Sequence, residues 1–453
     1  MKPERLFACT HCDAQLLKWA GQCNECGKWG TVKEADETPS RSVAADTKPG
    51  KTQAFSSLSS SANESRMPTR VAAVDRILSG GLVGGSVTLL GGEPGIGKST
   101  LLAQIALALA DSPPLRGGAG GGVLYVTGEE SPSQVAMRLK RLATYGRLGE
   151  SPLPSSLEFL DQTDACVIAA TIREKKPLLT IVDSIQSIRV SEAPGEAGNP
   201  GQVRASAALI NEAAKKSGAS VILSGQVTKD GDLAGPKLLE HLVDTVLMME
   251  GDRQQTFRLL RVIKHRFGNT DELAVFQMTE KGLEEVLDPS AALVADRPKQ
   301  NSGTIVSCLS QGSRAMLIEI QALVSPAGYG TPIRRSTGID NSRLQLLLAV
   351  LGRRAGVNLS DQDVFVNAVG GVDAREPAID LAICLALASA KYDAPIPDDV
   401  AAWGEVGLSG EIRPVSGSQG RVKEASRMGF KTDIISSKSL REALDRLHIV
   451  KRF

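Results

Sequence analysis

The stretch that most constrains this chain runs from residue 87 to residue 110, where a short apolar strand enters a glycine-rich turn and continues as an apolar helix. The turn contains the pattern G-x-x-x-x-G-K-[ST], with Gly92, Gly97, Lys98 and Ser99 at its fixed positions. A preceding strand and a following helix are the context in which this pattern binds phosphate. We therefore predict a nucleotide site; an ordinary glycine-rich turn of a doubly wound sheet is the structural alternative.

Each residue type in this loop has a chemical reason to be there. Glycines let consecutive backbone N–H groups face the phosphates, and the following helix adds the positive end of its dipole. Lys98 supplies a cation for the β- and γ-phosphates of ATP, and the Ser99 hydroxyl suits Mg²⁺. The predicted nucleotide-binding residues of the loop are Gly92, Glu93, Pro94, Gly95, Ile96, Gly97, Lys98, Ser99 and Thr100.

Two acidic residues follow the second predicted strand. The strand covers residues 123–127, and Glu129 and Glu130 come shortly after it. Because open α/β folds bind ligands at the carboxyl edge of their parallel strands, a general base for water belongs there. We predict Glu129 as the catalytic base, with Glu130 as the second candidate. Alternatively, both carboxylates only decorate the N-terminus of the next helix.

Two further strands carry polar side chains to the same predicted edge. The strand at 178–184 contains Asp183 after a mostly apolar run, and a later strand ends in Gln226 before a polar loop that includes Lys229. We predict that Asp183 holds Mg²⁺, directly or through water, and that Gln226 senses the γ-phosphate. Lys229 is a candidate contact to a DNA phosphate. An acid at an ordinary strand end and an ordinary edge loop are the alternatives.

Four of the seven cysteines lie within the first 26 residues, arranged as two C-x-x-C pairs. Paired knuckles of this kind present four thiolates to one tetrahedral ion, and they predict a zinc ribbon rather than free thiols or a redox pair. The predicted Zn²⁺ ligands are Cys9, Cys12, Cys23 and Cys26.

The ribbon also carries Trp19 and Trp29, two of only three tryptophans in the chain. Its first 33 residues contain five basic and three acidic side chains, a surplus that four thiolates around Zn²⁺ would cancel. The ribbon alone is therefore a poor electrostatic anchor for DNA. A role as a structural or coupling module is at least as consistent with the sequence as DNA binding by the ribbon.

Overall charge and hydropathy exclude several classes of protein. The formal net charge is +1, so binding to a polyanion must come from local patches. The N-terminus lacks the apolar core of a signal peptide, and no apolar run approaches the length of a membrane span. These features predict a cytoplasmic protein that does not contact a membrane.

Changes in composition predict four regions along the 453 residues. They are the zinc ribbon at 1–33, a linker rich in Ser, Thr, Ala and Pro at 34–66, a nucleotide-binding α/β domain at 67–289, and a second α/β domain at 290–453. Within the third region, residues 253–270 hold five basic and no acidic side chains. Either a nucleic-acid contact or a solvated strand face explains such a stretch.

Five motifs together resemble the bacterial RadA (Sms) DNA repair protein family over the whole chain: the GGEPGIGKST loop, GEES, TIVDSIQ, KHRFG and GGVDAREPAIDLA. The resemblance implies a RecA-like P-loop ATPase core between an N-terminal zinc ribbon and a C-terminal α/β domain similar to the Lon peptidase. It also implies a homo-oligomeric ring, a hexamer, that encircles DNA and drives branch migration in recombination. Single-stranded and branched DNA and a recombinase of the RecA type are the implied partners.

Two departures from related families bear on the site. Where the RadA family has K-N-R-F-G, this chain has His265 between Lys264 and Arg266. The resemblance implies that both cations are candidates to reach DNA or the γ-phosphate of a neighbouring subunit. Where a Lon-type peptidase has its nucleophilic serine and its lysine base, this chain has Ala378 and Gln419. Without these groups the covalent route to proteolysis is closed.

We therefore predict an ATP-driven DNA motor of recombination and repair. A nucleotide-switched scaffold that loads recombination proteins is the non-enzymatic alternative, and an ATP-dependent protease is suggested by domain order alone. GTP is the weaker choice of nucleotide because no N-K-x-D motif follows the strands.

Overall fold

A computed structural model of the chain describes residues 7–12, 14–16, 18–34, 66–111, 122–145, 154–226, 236–251, 257–311, 314–328, 331–372 and 374–449. Almost all of the predicted linker at 34–66 lies outside these residues, as does Lys229. None of the described helices is long and apolar enough to cross a membrane.

The N-terminal segment is a small antiparallel sheet built around its cysteines. Its three strands are β1 (Phe7–Cys9), β2 (Gln15–Leu16) and β3 (Val32–Glu34), in the spatial order β2-β1-β3. The buried residues of this segment are Cys9, Cys23 and Val32. So small a core stabilises a fold only weakly by burial, and in folds of this size a bound metal commonly supplies much of the stability.

The central part of the chain is one nine-stranded sheet. Its strands in chain order are β4 (Val87–Gly92), β5 (Val123–Thr127), β6 (Leu157–Asp161), β7 (Leu179–Asp183), β8 (Ser220–Gln226), β9 (Thr245–Glu250), β10 (Phe257–His265), β11 (Leu273–Thr279) and β12 (Gly282–Glu285). The spatial order is β12-β11-β10-β9-β4-β8-β7-β5-β6. The strands from β9 to β6 in this order are parallel, and β10 to β12 extend the sheet in antiparallel fashion.

Helices cover both faces of this sheet. They are α1 (Ala72–Ile77), α2 (Lys98–Ala110), α3 (Pro132–Tyr145), α4 (Ala165–Lys175), α5 (Pro200–Ser217) and α6 (Pro236–Leu239). The apolar side chains of α1 to α3 pack on one face, and those of α4 to α6 pack on the other. Neighbouring residues of β4 alternate between these two cores, as Leu89 and Leu90 show, which explains why the strand is apolar throughout.

The edge strand β12 is attached to the helix that follows the glycine-rich loop. The Gln104 side chain of α2 donates to the Leu283 carbonyl oxygen at 3.1 Å and accepts from the Leu283 N–H at 3.0 Å. A Cβ atom on Gly282 would lie 3.0 Å from Gln104 Cδ, and Gly282 has a φ of +108°. Glycine is therefore needed for the amide to reach the strand.

The C-terminal part contains a second, smaller sheet and a buried helix. The strands are β13 (Thr304–Gln311), β14 (Arg314–Pro326), β15 (Arg334–Thr337), β16 (Gln362–Ala368) and a separate pair, β17 (Glu405–Val406) and β18 (Ile412–Arg413). The helices are α7 (Pro289–Val294), α8 (Asn341–Val350), α9 (Asp380–Tyr392), α10 (Ser418–Arg427) and α11 (Leu440–Arg446). The alanine-rich α9 is buried from Asp380 to Ser389.

The two sheets meet in a continuous apolar core. Phe257 and Leu259 of β10 belong to the same hydrophobic cluster as Leu293 of α7 and the buried residues of α9. A Cβ atom on Gly370 would lie 2.1 Å from Leu293 Cδ2, and Gly370 has a φ of +82°, a conformation that favours glycine. The division predicted between residues 289 and 290 lies within a region of shared packing, and its position stays a prediction.

Candidate active site

The glycine-rich loop connects β4 to α2 at the carboxyl edge of the parallel strands. Gly92 ends β4, and a Cβ atom there would lie 2.6 Å from the Met249 carbonyl oxygen of β9. Gly97 precedes α2 with a φ of +119°, a conformation that favours glycine. The loop therefore has the strand-to-helix geometry that presents backbone N–H groups to phosphate.

Lys98 lies inside this loop. Its Nζ donates to the carbonyl oxygens of Gly92 at 2.8 Å and Glu93 at 2.9 Å, and the side chain is buried. Burial lowers the pKa of Lys98, while the charges of Asp183, Glu129 and Glu93 act in the opposite direction. The ammonium group is thus held among the loop oxygens and close to the predicted catalytic acids.

Glu129 lies between two of the strand ends. The Ser184 hydroxyl, which follows β7, donates to Glu129 Oε1, and the Gln226 amide at the end of β8 donates to the same oxygen at 3.4 Å. Gly128 makes this turn possible, because a Cβ there would lie 2.0 Å from Ser187 Oγ. The structure therefore brings together the predicted base and the predicted phosphate sensor.

Glu130 has a different environment from its neighbour. Its Oε1 lies 2.5 Å from an Arg138 guanidinium nitrogen on α3, and its side chain is partly exposed. The helix that follows begins at Pro132, as the alternative interpretation of these acids supposed. Of the two carboxylates, Glu129 is the one that contacts Ser184 and Gln226.

Asp183 ends β7 one residue before Ser184. Its Oδ2 accepts a hydrogen bond of 3.0 Å from the Tyr125 hydroxyl of β5. Burial and the Asp183 charge raise the pKa of Tyr125 well above its usual value, so the phenol stays a donor. Tyr125, Ser184 and Gly128 were missed by the sequence interpretation. Only the polar hydroxyl within the apolar strand at 123–127 offered a signal for Tyr125.

The basic stretch, in the part from residue 257 onward that the structure describes, is largely used inside the protein. The Arg258 Nε donates to the Ile96 carbonyl oxygen of the glycine-rich loop at 3.2 Å, and Arg258 is buried. Arg261 pairs with Glu250 at 3.0 Å. These two side chains therefore support the sheet and the loop rather than forming a free cationic face.

Lys264 and Arg266 lie at the opposite edge of the sheet from the glycine-rich loop. His265 pairs with Thr245, which pairs with Thr88 at the start of β4, whereas the loop begins at the end of that strand. Lys264 Nζ donates to main-chain carbonyl oxygens after α6, and Arg266 contacts the buried Asp244 carboxylate at 3.2 Å. The two cations therefore do not reach the loop of their own chain.

His265, the departure from the family pattern, is part of the packing of this turn. Its Nδ1 lies 2.9 Å from the Thr245 hydroxyl, and its ring meets Phe267 edge to face. Burial lowers the pKa of His265. The lowered pKa favours the neutral imidazole within the turn.

The four cysteine thiols of the ribbon converge on one point. Their sulfur atoms all lie within 4.8 Å of one another, with 3.7 Å between Cys9 and Cys26 and 3.6 Å between Cys12 and Cys23. Four thiolates around Zn²⁺, with bonds of about 2.3 Å in a tetrahedron, are separated by about 3.8 Å. The donor set and its spacing therefore fit Zn²⁺.

Metal content provides a direct test of this site. We expect one Zn²⁺ per chain to be released when the thiols are titrated with a mercurial and the metal is measured with a colorimetric chelator. Cys23→Ser removes a buried ligand and is expected to abolish the zinc, while Cys166→Ser, at the exposed cysteine of α4, leaves one zinc per chain. Full zinc content in Cys23→Ser would contradict the assignment.

The region that would hold a peptidase site contains an ion pair instead. Ala378 is buried in a short turn before α9, and Gln419 is exposed on α10. The fully buried Arg421 of α10 donates to the Glu376 carboxylate and to the Cys308 carbonyl oxygen. Sequence interpretation missed this pair because an arginine and a glutamate 45 residues apart give no signal before folding.

Three family models match the chain in the order of these regions. They are described as a rubredoxin metal binding domain at residues 7–34, an AAA domain at 44–232, and a Lon protease (S16) C-terminal proteolytic domain at 344–449. They confirm the predicted fold class: a zinc ribbon, a RecA-like P-loop ATPase core and a Lon-peptidase-like domain, in a mixed α/β protein.

Curated relatives match almost the whole chain. The DNA repair protein RadA of Pseudomonas aeruginosa is 45% identical over 439 residues, covering 96% of this chain and 93% of the relative. The proteins of the same name from Bacillus subtilis and Escherichia coli are each 42% identical, covering 97% and 96% of this chain and 94% and 92% of the relatives. With the resemblance found in its motifs thus confirmed, the chain belongs to the DNA repair protein RadA family.

Proposed function

We propose that this protein is an ATP-dependent DNA-binding motor of homologous recombination and repair, and that ATP hydrolysis drives branch migration of recombination intermediates. Its substrates are single-stranded and branched DNA, with a recombinase of the RecA type as partner. Membership of a DNA repair family and a P-loop ATPase domain support the general function. The observation that carries the motor function is the contact of Glu129 with Gln226.

That contact links hydrolysis to the loop that follows β8. In this proposal Glu129 accepts a proton from the attacking water. Its hydrogen-bond partner at 3.4 Å, Gln226, precedes the polar segment that contains Lys229. A γ-phosphate competes with Glu129 for the Gln226 amide, so the amide reports whether ATP is bound. Lys98 and the loop amides hold the phosphates, and Ser99 and Asp183 are the residues that would hold Mg²⁺.

In the proposed motor a neighbouring subunit completes the site. Lys264 and Arg266 lie at the far edge of the sheet from the loop of their own chain, so they can reach a γ-phosphate only across a subunit interface. We propose a homo-oligomeric ring, a hexamer, in which each interface joins the loop of one subunit to these cations of the next.

The primary test compares Lys98→Ala with the wild type. Loss of the buried ammonium is expected to lower ATP turnover by roughly 100-fold or more and to abolish extension of a branched intermediate. Single-stranded DNA is expected to raise ATP turnover in the wild type. As a matched control, Lys175→Ala on the exposed end of α4 keeps both activities. Unchanged turnover in Lys98→Ala would overturn the site assignment.

Mixing variants tests whether the cations act between subunits. Lys98→Ala and Arg266→Ala are each expected to be inactive alone. In mixed rings roughly a quarter of the interfaces join an intact loop to an intact Arg266, because each requirement is met by half of the subunits. Activity is therefore expected to reappear on mixing. If the mixture stays inactive, Arg266 acts on DNA or within its own chain.

The remaining alternatives have distinct outcomes. DNA binding and ATP hydrolysis without ATP-dependent branch extension would favour the scaffold. ATP-dependent degradation of casein would favour the protease. If this degradation persisted in Ser416→Ala and Ser418→Ala, the assignment of Ala378 to the position of the nucleophilic serine would be wrong. The buried Ala378 and the ion pair between Arg421 and Glu376 support the inactive state of this domain.

A further inference from the structure

The zinc ribbon presents two exposed indoles on one surface. The side chains of Trp19 and Trp29 are 64% and 75% exposed, whereas the third tryptophan, Trp403, is buried. A Cβ atom on Gly21 would lie 3.7 Å from Trp29 Cζ3 and 3.9 Å from Trp19 Cη2. The six-membered rings of both indoles therefore flank the same glycine. Two large aromatic side chains in solvent on so small a fold indicate a binding surface.

The backbone between the indoles is fixed to the metal knuckle. The Gly30 N–H donates to the Gly21 carbonyl oxygen at 2.8 Å, and Gln22 forms a β-bridge with Trp29. The Cys23 N–H donates to the Lys28 carbonyl oxygen at 3.0 Å. The surface is thus ordered by the same segment that provides two of the zinc ligands, and its indoles need little reorganisation to bind a ligand.

A lysine precedes each indole. Lys18 and Lys28 are both exposed, and Lys28 Nζ donates to His11 Nε2 at 2.6 Å, which holds the ammonium group on the ribbon. Each indole therefore follows an exposed lysine directly in the chain. Proteins that bind single strands without sequence preference combine aromatic rings that stack on bases with cations that contact phosphates.

We infer that Trp19 and Trp29 form a stacking platform for the bases of single-stranded nucleic acid, with Lys18 and Lys28 contacting the flanking phosphates. This inference rests on the proposed DNA-binding function and adds a site to it. The ribbon carries no net positive charge once four thiolates surround Zn²⁺, so the platform contributes stacking rather than long-range attraction. The stacking contribution of the two indoles is therefore insensitive to salt, in contrast to the phosphate contacts of the two lysines.

The test measures binding of the full-length protein to labelled oligodeoxythymidine by fluorescence polarisation. Trp19→Ala and Trp29→Ala are each expected to weaken binding about tenfold, and Trp19→Phe, which keeps an aromatic ring, is expected to lose much less. The ratio of wild-type to variant affinity is expected to stay constant as salt rises. On an abasic oligonucleotide of the same length, the wild type and the alanine variants are expected to bind equally. Zinc content serves as the control for folding of the ribbon.

Intrinsic fluorescence gives an independent readout. Because Trp403 is buried, acrylamide quenching reports mainly on the two ribbon indoles, and oligodeoxythymidine is expected to protect them. If the protein binds the oligonucleotide while the indoles stay accessible and the alanine variants bind normally, the platform is overturned and the proposed function stands. This is the result expected if the two indoles bind a partner protein instead of DNA. If the wild type binds no DNA, both inferences fail.

Discussion

Glu129→Gln is expected to lower the rate of ATP hydrolysis by roughly 10²–10⁴-fold while leaving ATP affinity largely intact. An amide keeps the shape of the side chain and its position beside Ser184 and Gln226, but it cannot take the proton of the attacking water. Single-turnover hydrolysis together with binding of a fluorescent ATP analogue measures the two effects separately.

Glu130→Gln is the matched control for this prediction. The neighbouring carboxylate is partly exposed and pairs with Arg138, and an exposed pair of this kind contributes little. We expect its turnover to change less than about fivefold. A larger loss in Glu130→Gln than in Glu129→Gln would exchange the roles of the two acids.

Arg421→Met is expected to lower the free energy of unfolding of the C-terminal domain by about 3–5 kcal/mol, because it leaves the Glu376 carboxylate without its buried partner. Chemical denaturation followed by circular dichroism measures the change. The double variant Arg421→Met/Glu376→Leu is expected to recover much of the loss, since apolar side chains of similar volume replace buried ion pairs well.

An exposed ion pair provides the comparison. Lys216 and Glu212 lie four residues apart on the surface of α5, and Lys216→Gln is expected to leave the denaturation midpoint unchanged. If Arg421→Met behaves like Lys216→Gln, the pair between Arg421 and Glu376 does not stabilise the C-terminal domain.

The parts of the site that were predictable from sequence are those fixed by local pattern. The loop from Gly92 to Thr100 and the polar ends of the strands follow from strand-to-helix periodicity, and parallel strands necessarily gather their ends at one edge. The convergence of Glu129 with Gln226 is a consequence of that topology. The roles assigned to these residues stay predictions until the variants are measured.

Other features depend on contacts that no local pattern encodes. Arg258 was grouped with a cationic stretch, yet the strand pairing of β10 buries it against the carbonyl oxygen of Ile96. The pair between Arg421 and Glu376 requires α10 to pack against the turn before α9. Long-range packing also decided the different environments of Glu129 and Glu130, which are adjacent in sequence and chemically identical.

The contact between Gln104 and Leu283 bears on how the protein avoids aggregation. A large open sheet exposes unpaired N–H and C=O groups along its outer strands, and these groups invite pairing with strands of other molecules. The Gln104 amide occupies both main-chain groups of Leu283 in the short outer strand β12, as the backbone of a further strand would. One side chain thus protects the main-chain groups of Leu283, at that border of the nine-stranded sheet, from edge-to-edge association.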